Sequence, residues 1–244
     1  MSRLIVGLQP VREAIRVHGN QLERVLVQRA ASPRLDALSR FAADRQVPVE
    51  RLPRAALDRL GRGVRHQGVA AFGPELSILS LADLEPSRDS PLVVLDGITD
   101  PQNFGAVIRS AVALSAGSLL WPEHHAAPLT PATYRASAGA VEHARLFRVR
   151  SLRDAVRRLG ELGYTTLCLD PDGDASLSEL AIERPSAIVV GAEDAGVQRA
   201  VRKLCRHRVR LGMSGSIQSL NASVAAAVAL YDLACRESES PRPQ

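Results

Sequence analysis

The sequence predicts an α/β fold in two parts: a small α/β unit, then a larger domain built on a mostly parallel sheet. Two patterns predict this architecture. Short β-branched runs alternate with helix-spaced segments along the chain, and from Leu92 the strand runs are continuously apolar, as strands buried on both faces must be. The charge is also uneven. Residues 1–75 hold thirteen Arg against seven Asp or Glu, a balance of +6, while residues 76–90 balance to −2 and the remainder to +1. Between the two parts, Gly73–Pro91 (GPELSILSLADLEPSRDSP) is rich in Pro, Ser and acids and reads as a connection. The expected boundaries are an N-terminal domain over 1–73, a linker over 74–90, the larger domain over 91–236 and a disordered tail over 237–244.

The elements follow in order. Gln9–Val17 has the helical spacing of Val11, Ala14 and Ile15, and Arg24–Gln28 (RVLVQ) is a β-branched strand run. Ser32 stands at an N-cap position with Pro33 at the first helical place, which starts a helix to Arg45. Val47–Leu52 and Gly68–Phe72 read as further strands. In the larger domain Leu92–Leu95, Ser118–Trp121, Thr165–Leu169 and Ala187–Val190 read as buried strands. Helical patterns occupy Phe104–Ser115, Leu152–Leu162, Val197–Leu204 and Leu220–Cys235. Such alternation builds a parallel sheet with helices on both faces.

Composition narrows the function. No stretch approaches the roughly 18 apolar residues of a membrane span. The three cysteines, Cys168, Cys205 and Cys235, lack metal-ligand spacing and cannot all pair with one another, which points to a reduced, cytoplasmic setting. His124 and His125 lack a supporting carboxylate or Cys cluster, so no metal site is expected. Thirty of the 31 basic residues are Arg, whose planar fork suits phosphate oxygens. GC-rich coding would also enrich Arg. With aromatics at only 3%, a nucleic-acid surface here cannot rest mainly on stacking platforms.

In a parallel sheet, ligands sit beyond the carboxyl ends of the strands. Three strand-end loops are rich in polar groups. In Leu95–Ala111 (LDGITDPQNFGAVIRSA) a strand runs into Asp100-Pro101, a helix opens near Asn103, and Arg109 shares a helical face with small Gly105. In Ile188–Val197 (IVVGAEDAGV), Gly191 and Gly196 flank Glu193 and Asp194. Neither the P-loop Lys nor the dinucleotide glycine pattern is present, and two acids would repel a phosphate. In Arg208–Asn221, Gly212–Gln218 leads through Ser219, a candidate helix cap, to Asn221 in the first turn with its amide free for a ligand. Each loop alone reads equally well as an ordinary turn or cap.

Taken in order, DPQNFGAVIRSA (Asp100–Ala111), VVGAEDAGV (Val189–Val197) and RLGMSGSIQSLNASVAAAVALYD (Arg210–Asp232) resemble the three motifs of the SpoU/TrmH branch of the SPOUT superfamily, the RNA ribose 2′-O-methyltransferases. SAGAVEHARLFRV (Ser137–Val149), the N-terminal IVGLQPVREAI and HQGVAA (His66–Ala71) are similar to other parts of that family, so the resemblance covers almost the whole chain. It implies a C-terminal SPOUT domain with a deep trefoil knot, preceded by a ribosomal-protein-like substrate-binding domain. By architecture the nearest subgroup is the bacterial 23S rRNA guanosine 2′-O-methyltransferases, which act in the peptidyl-transferase region.

The resemblance further implies S-adenosylmethionine as cofactor, RNA as substrate and a homodimer. It places Gly191, Leu211, Met213 and Leu220 at cofactor-pocket positions. The catalytic group it implies is Asn103, Arg109, Glu193, Ser219 and Asn221, with Glu193 orienting Arg109. Gly212 stands where the family commonly has proline, and Asp194-Ala195, Val197 and Ala222 also depart from its usual residues. A 2′-hydroxyl is a poor nucleophile, and a guanidinium holds its proton too tightly to serve as a ready base. Arg109 is therefore expected to stabilise developing alkoxide charge. Rival readings are the same chemistry on tRNA or another rRNA nucleotide, including an antibiotic-resistance site, and a non-catalytic RNA-binding assembly factor.

Overall fold

The computed structural model describes residues 2–30, 32–216 and 219–239. It divides into two compact units, Met1–Ser77 with Pro128–His143, and Ile78–Ala127 with Ala144–Gln244. The chain therefore passes between the units three times. Residues 128–143, which sequence reading assigns to the larger domain, pack with the first unit.

The first unit is a four-stranded sheet in the order β1-β4-β2-β3, formed by β1 (Ser2–Val6), β2 (Arg24–Gln28), β3 (Val49–Leu52) and β4 (Val69–Pro74). The central pairs β1–β4 and β4–β2 are antiparallel, and β2–β3 is parallel. Strand alternation sorts the core. Val25, Val27, Val69 and Ala71 face helices α1 (Leu8–His18) and α2 (Pro33–Ala43), which bury Val11, Ala14, Ile15, Leu35 and Leu38 against them. Leu26 and Ala70 point the other way and meet Leu57 of α3 (Arg54–Gly61). Ser32 occupies the N-cap position of α2, but its side chain makes no capping hydrogen bond.

A buried ion pair fastens residues 128–143 onto this unit. They form the short helix α5 (Pro131–Ala136) and a 3₁₀ turn at Ala140–His143, which carries Glu142. The Glu142 side chain is fully buried and receives a two-pronged contact from Arg3, with one arm at 2.9 Å. His18 Nε2 lies 2.9 Å from the same carboxylate. The Arg3 Nε–H also donates to the Pro74 carbonyl at 2.6 Å, and its guanidinium lies over the Tyr134 ring. Burial alone would raise the Glu142 carboxyl; the hydrogen bonds from His18 and Arg3 and their charges outweigh it and hold the carboxyl below its ordinary range.

The second unit is an eight-stranded, all-parallel sheet. Its strands are β5 (Ile78–Leu79), β6 (Leu92–Asp96), β7 (Ser118–Pro122), β8 (Arg145–Val149), β9 (Thr165–Leu169), β10 (Ala175–Ser176), β11 (Ser186–Gly191) and β12 (His207–Arg210), in the order β10-β12-β9-β11-β6-β7-β8-β5. Every neighbouring pair is parallel. Sequence reading misses edge strand β5, which lies within the expected linker 74–90, as well as β8 and β10. A two-residue strand carries no periodicity to read, and β5 forms only because β8 offers it partners.

Helices α4 (Pro101–Ala113), α6 (Leu152–Glu161), α7 (Arg199–Arg202) and α8 (Ala222–Glu239) cover the sheet. Helix α4 starts as its sequence demands: Asp100 accepts from the Asn103 N–H at 3.0 Å, with Pro101 at the first helical place. It buries Phe104, Val107, Ile108 and Ala111, and packs on α8, whose Ala226, Ala229, Leu230 and Leu233 are buried. Residues 237–239 of the expected tail are helical, whereas 240–244 lie outside the described residues. No helix among the described residues is long and apolar enough to cross a membrane.

Candidate active site

Strands β6 and β11 lie side by side in register, Gly191 opposite Asp96. From β6 the chain builds β7 and β8 on one flank, then β9, β11 and β12 on the other. The order of the sheet thus reverses between β6 and β11, the place where a parallel sheet leaves a crevice beyond its carboxyl ends. Beside this point, a cavity of about 290 Å³ opens beyond the carboxyl ends of β9, β11 and β12, lined by residues following those strands and by the start of α8.

The loop after β11 closes on itself. The Gly196 N–H donates to the Ala192 carbonyl at 2.9 Å, and the two residues form an isolated bridge. A Cβ on Gly191 would lie 2.0 Å from the Gly196 carbonyl carbon and 2.2 Å from the Val197 nitrogen. Sequence reading makes Gly191 a glycine for the sake of the ligand; the backbone folding over it demands one first. Gln198 then anchors the loop to β6, donating its backbone and side-chain N–H groups to Asp96 at 2.7 and 2.8 Å. Asp96 is fully buried, and among the described residues its hydrogen-bond donors are these neutral ones, so burial pushes its carboxyl above the ordinary range and Gln198 only partly offsets this.

The loop before α8 corrects two expectations. Helix α8 begins at Ala222, so its cap is Asn221 rather than Ser219. Asn221 Oδ1 accepts from the Ser223 and Val224 N–H groups at 2.9 and 3.3 Å, and from the Ser223 hydroxyl at 2.6 Å. The Asn221 amide is also not free for a ligand, because Nδ2 donates to Asn103 Oδ1 at 3.0 Å and to Glu193 Oε1. One asparagine therefore joins all three strand-end loops. It fills the position because capping needs an acceptor while the two neighbouring loops present oxygens that need a donor.

The expected residues fall into three places. Gly191, Leu211, Met213 and Leu220 line the cavity, as do Glu193 and Ser219. Asn103, Glu193 and Asn221 form the hydrogen-bonded junction. Arg109 stands apart: it is exposed on α4 and makes no hydrogen bond or ion pair among the described residues. The orienting pair expected between Glu193 and Arg109 is not formed, since Glu193 is engaged by Asn221. Ile217 and Gln218, part of the expected loop, lie outside the described residues.

Sequence reading also overlooks the loop after β9. Asp170 and Pro171 line the cavity, and Asp170 accepts from Arg202 Nη1 at 3.0 Å, Arg208 Nε at 3.3 Å and the Asp172 N–H at 3.0 Å. Burial would raise this carboxyl, but the Asp172 N–H and the two guanidiniums prevail and hold it low. The signal was present in LDPDGD, a turn directly after a buried strand, which the same strand-end rule selects.

The cavity's donor set fits an adenosine carrying a cationic sulfur. Val190, Leu211, Met213 and Leu220 provide apolar wall for a purine, and the Glu193 carboxylate attracts positive charge. A triphosphate would instead meet the carboxylates of Glu193 and Asp194. Among the described residues no group of three or more His, Cys, Asp and Glu is arranged to hold a metal.

Comparison with known proteins identifies the family. Residues 90–231 match the SpoU rRNA methylase family, and residues 4–78 match the RNA 2′-O ribose methyltransferase substrate-binding family. An uncharacterized tRNA/rRNA methyltransferase from Mycobacterium leprae is 36% identical over 239 residues, covering 96% of this chain and 77% of the relative. The crystal structure of the SpoU methyltransferase AviRb from Streptomyces viridochromogenes with AdoMet superposes with a TM-score of 0.78 at 28% identity, covering 98% of this chain and 92% of that one. An RNA 2′-O ribose methyltransferase structure gives 0.79 at 28% identity, over 96% and 88% of the two chains. The chain belongs to the SpoU rRNA methylase family and is an S-adenosylmethionine-dependent RNA methyltransferase.

Proposed function

We propose that the protein methylates a ribose 2′-hydroxyl of RNA, and that the ribose belongs to a guanosine in the peptidyl-transferase region of 23S rRNA. The observation that carries the chemistry is the junction at Asn221, which fixes Asn103 and Glu193 next to residues of the cavity. The two-part architecture, a substrate-binding unit preceding the methylase unit, supports the target, because the subgroup shares it.

When bound, S-adenosylmethionine supplies an electrophilic methyl carbon. The chain's own residues supply alignment and charge. Gly191, Leu211, Met213 and Leu220 hold the adenosine against the strand ends, and Ser219 offers a hydroxyl beside them. Asn221 acts as a positioning residue, since its acceptor and both donors are used within the protein. With its Oδ1 occupied by Asn221, Asn103 retains its NH₂ group for the RNA. The exposed guanidinium of Arg109 binds the phosphate beside the target ribose and stabilises the negative charge that builds on the 2′-oxygen as it attacks and its proton passes to water.

A homodimer is part of the same reading. Val224, Val228 and Tyr231 are 46, 44 and 62% exposed on α8. Their spacing of four and three residues gives one apolar stripe on the helix that Asn221 caps, suited to a second copy. A cytoplasmic location accords with an enzyme of ribosomal RNA.

Incubation with labelled S-adenosylmethionine and separate pools of unmodified 23S rRNA, 16S rRNA and tRNA tests the proposal. Label on one guanosine ribose of the 23S peptidyl-transferase loop is the expected result; label in tRNA or elsewhere in rRNA keeps the chemistry and rejects the target. Arg109→Ala is expected to lower turnover by about 10²–10³ with cofactor binding unchanged, and normal turnover would remove Arg109 from the mechanism.

A further inference from the structure

The strand order of the second unit lays the site out in a row. At its carboxyl edge the strands run β6, β11, β9, β12, with neighbours about 4.8 Å apart. The loops that follow carry Asn103 after β6, Glu193 after β11, Asp170 after β9, and Leu211 and Met213 after β12. The cofactor has an order of its own: methyl, sulfonium, ribose, purine. Asn221 gathers Asn103 and Glu193 at one end of the row, and the apolar Leu211 and Met213 stand at the other. The ribose falls between sulfonium and purine, and Asp170 falls between β11 and β12.

Asp170 is held rigidly in that place. Its N–H donates to the Val209 carbonyl at 3.0 Å, continuing the pairing of β9 with β12, and its carbonyl accepts from the Gly173 N–H at 2.9 Å. A Cβ on Gly173 would lie 2.6 Å from the Val209 carbonyl carbon, so the turn is pressed against β12. Arg208 Nη2 and Arg210 Nη1 donate to the Asp172 and Gly173 carbonyls at 2.8 and 2.9 Å and fasten it from outside.

The carboxylate lines the cavity although its residue is only 8% exposed, and its hydrogen-bonding capacity is not used up. Oδ2 accepts from Arg202 and Arg208, whereas Oδ1 accepts from the Asp172 N–H. Each carboxylate oxygen can accept twice, so Oδ1 keeps one place. Arg202 lines the cavity as well, the one basic side chain among the described lining residues, and it donates to Asp170 through Nη1 at 3.0 Å. Its other N–H groups have no partner among the described residues. An ionised acceptor and a cationic donor therefore stand side by side. Adjacent hydroxyls on one ring match such a pair, one donating and the other accepting. The cofactor's amino acid group carries matching polarities too, but it branches from the sulfonium away from the purine, and Asp170 lies on the purine side of Glu193.

We propose that Asp170 and Arg202 hold the ribose of S-adenosylmethionine, Asp170 Oδ1 accepting from one of its 2′- and 3′-hydroxyls and Arg202 donating to the other. The proposal rests on the cavity being the cofactor site and adds a pair of residues that lies outside the three motif segments.

Calorimetry of the full-length protein with 5′-methylthioadenosine and its 2′-deoxy, 3′-deoxy and 2′,3′-dideoxy forms tests it. These nucleosides lack the amino acid group, and the unaltered protein should bind each deoxy form about 10–100-fold more weakly than the parent. Asp170→Asn should weaken the parent to the level of the dideoxy form and leave the dideoxy form unchanged. Arg202→Met, which keeps the apolar stem, should erase one of the two single-hydroxyl penalties. An unaltered protein indifferent to either hydroxyl would overturn the proposal without any variant. A uniform loss across all four nucleosides in Asp170→Asn would reduce Asp170 to a brace of the turn, and persistence of both penalties in Arg202→Met would remove Arg202. Binding of S-adenosylmethionine and the RNA methylation assay on the unaltered protein separate the two readings. A protein that binds the cofactor and methylates RNA but ignores the hydroxyls refutes only the ribose contact, whereas one that neither binds the cofactor nor methylates RNA refutes the proposed function.

Discussion

Glu142 in the first unit and Asp96 in the second are both buried carboxylates, yet their surroundings differ in charge. Glu142 meets a guanidinium and an imidazole, and they hold it ionised. Asp96 meets the neutral amide N–H groups of Gln198, and burial favours its neutral form. The difference follows from what each must hold. Glu142 lies 139 residues beyond Arg3 and fastens a separate length of chain, a task suited to a strong charge-assisted pair. Asp96 joins the end of a strand to a loop that covers a ligand cavity, where neutral donors fix geometry without placing a further cation beside the ligand.

Glu142→Gln should break this comparison most severely. It leaves Arg3 buried without its counter-charge, at a cost of about 3–5 kcal/mol to the first unit, read by denaturant unfolding. Cofactor affinity should be unchanged, because no residue of the ion pair lines the cavity. Loss of cofactor binding in a folded variant would show that the pair serves the second unit as well.

Gly191→Ala should have the next largest effect, and in the opposite place. Its methyl group would meet backbone at Gly196 and Val197, which cannot move aside like the tip of a side chain. The expected cost is about 1–3 kcal/mol in stability, with S-adenosylmethionine affinity falling alongside it in calorimetry. Full affinity would mean that the loop closes differently when the cofactor binds.

Asn221→Asp sharpens the comparison by placing a charge in the neutral junction. The carboxylate can still cap α8, so stability should fall by less than the roughly 1 kcal/mol expected of Asn221→Ala. It would nevertheless face Glu193 as a like charge and lose both donors, so methyl transfer should fall more than stability. Equal losses in stability and activity would reduce Asn221 to a cap alone.

The smallest effects are those of pH. Glu142 titrates below its ordinary range in the folded protein, so the stability it lends is complete above about pH 4.3 and is lost as pH falls through the folded value. Asp96 is raised, so its contribution is complete below about pH 3.9 and is lost as pH rises through the folded value. Carbon-13 NMR of the two carboxyl groups should show shifts of opposite direction. A lowered value for Asp96 would require a cation beside its carboxylate, where the structure places the neutral amide of Gln198.

Much of this was legible in the chain itself. Strand runs such as Leu92–Leu95 and Ala187–Val190 are apolar at every position, so they had to be buried on both faces, and Asp100-Pro101 printed the start of α4. The motif loops were visible as a set of three in order, since each alone reads equally well as an ordinary turn or cap. The choice of Asn221 over Ser219 as cap was not legible, since both side chains can accept from helix N–H groups. Asn103 and Glu193 decide it, lying 118 and 28 residues away and supplying the oxygens that Asn221 alone can satisfy.

Local spacing and residue type thus determined the α/β class, most of the elements and the family motifs, because each depends on neighbours within a few positions. The pairing of Glu142 with Arg3, the edge strand at Ile78–Leu79, the steric need for Gly191 and the place of Asp170 in the cavity wall were decided only by tertiary structure. Each depends on a partner brought from elsewhere in the chain, and a one-dimensional pattern does not record which distant groups will meet.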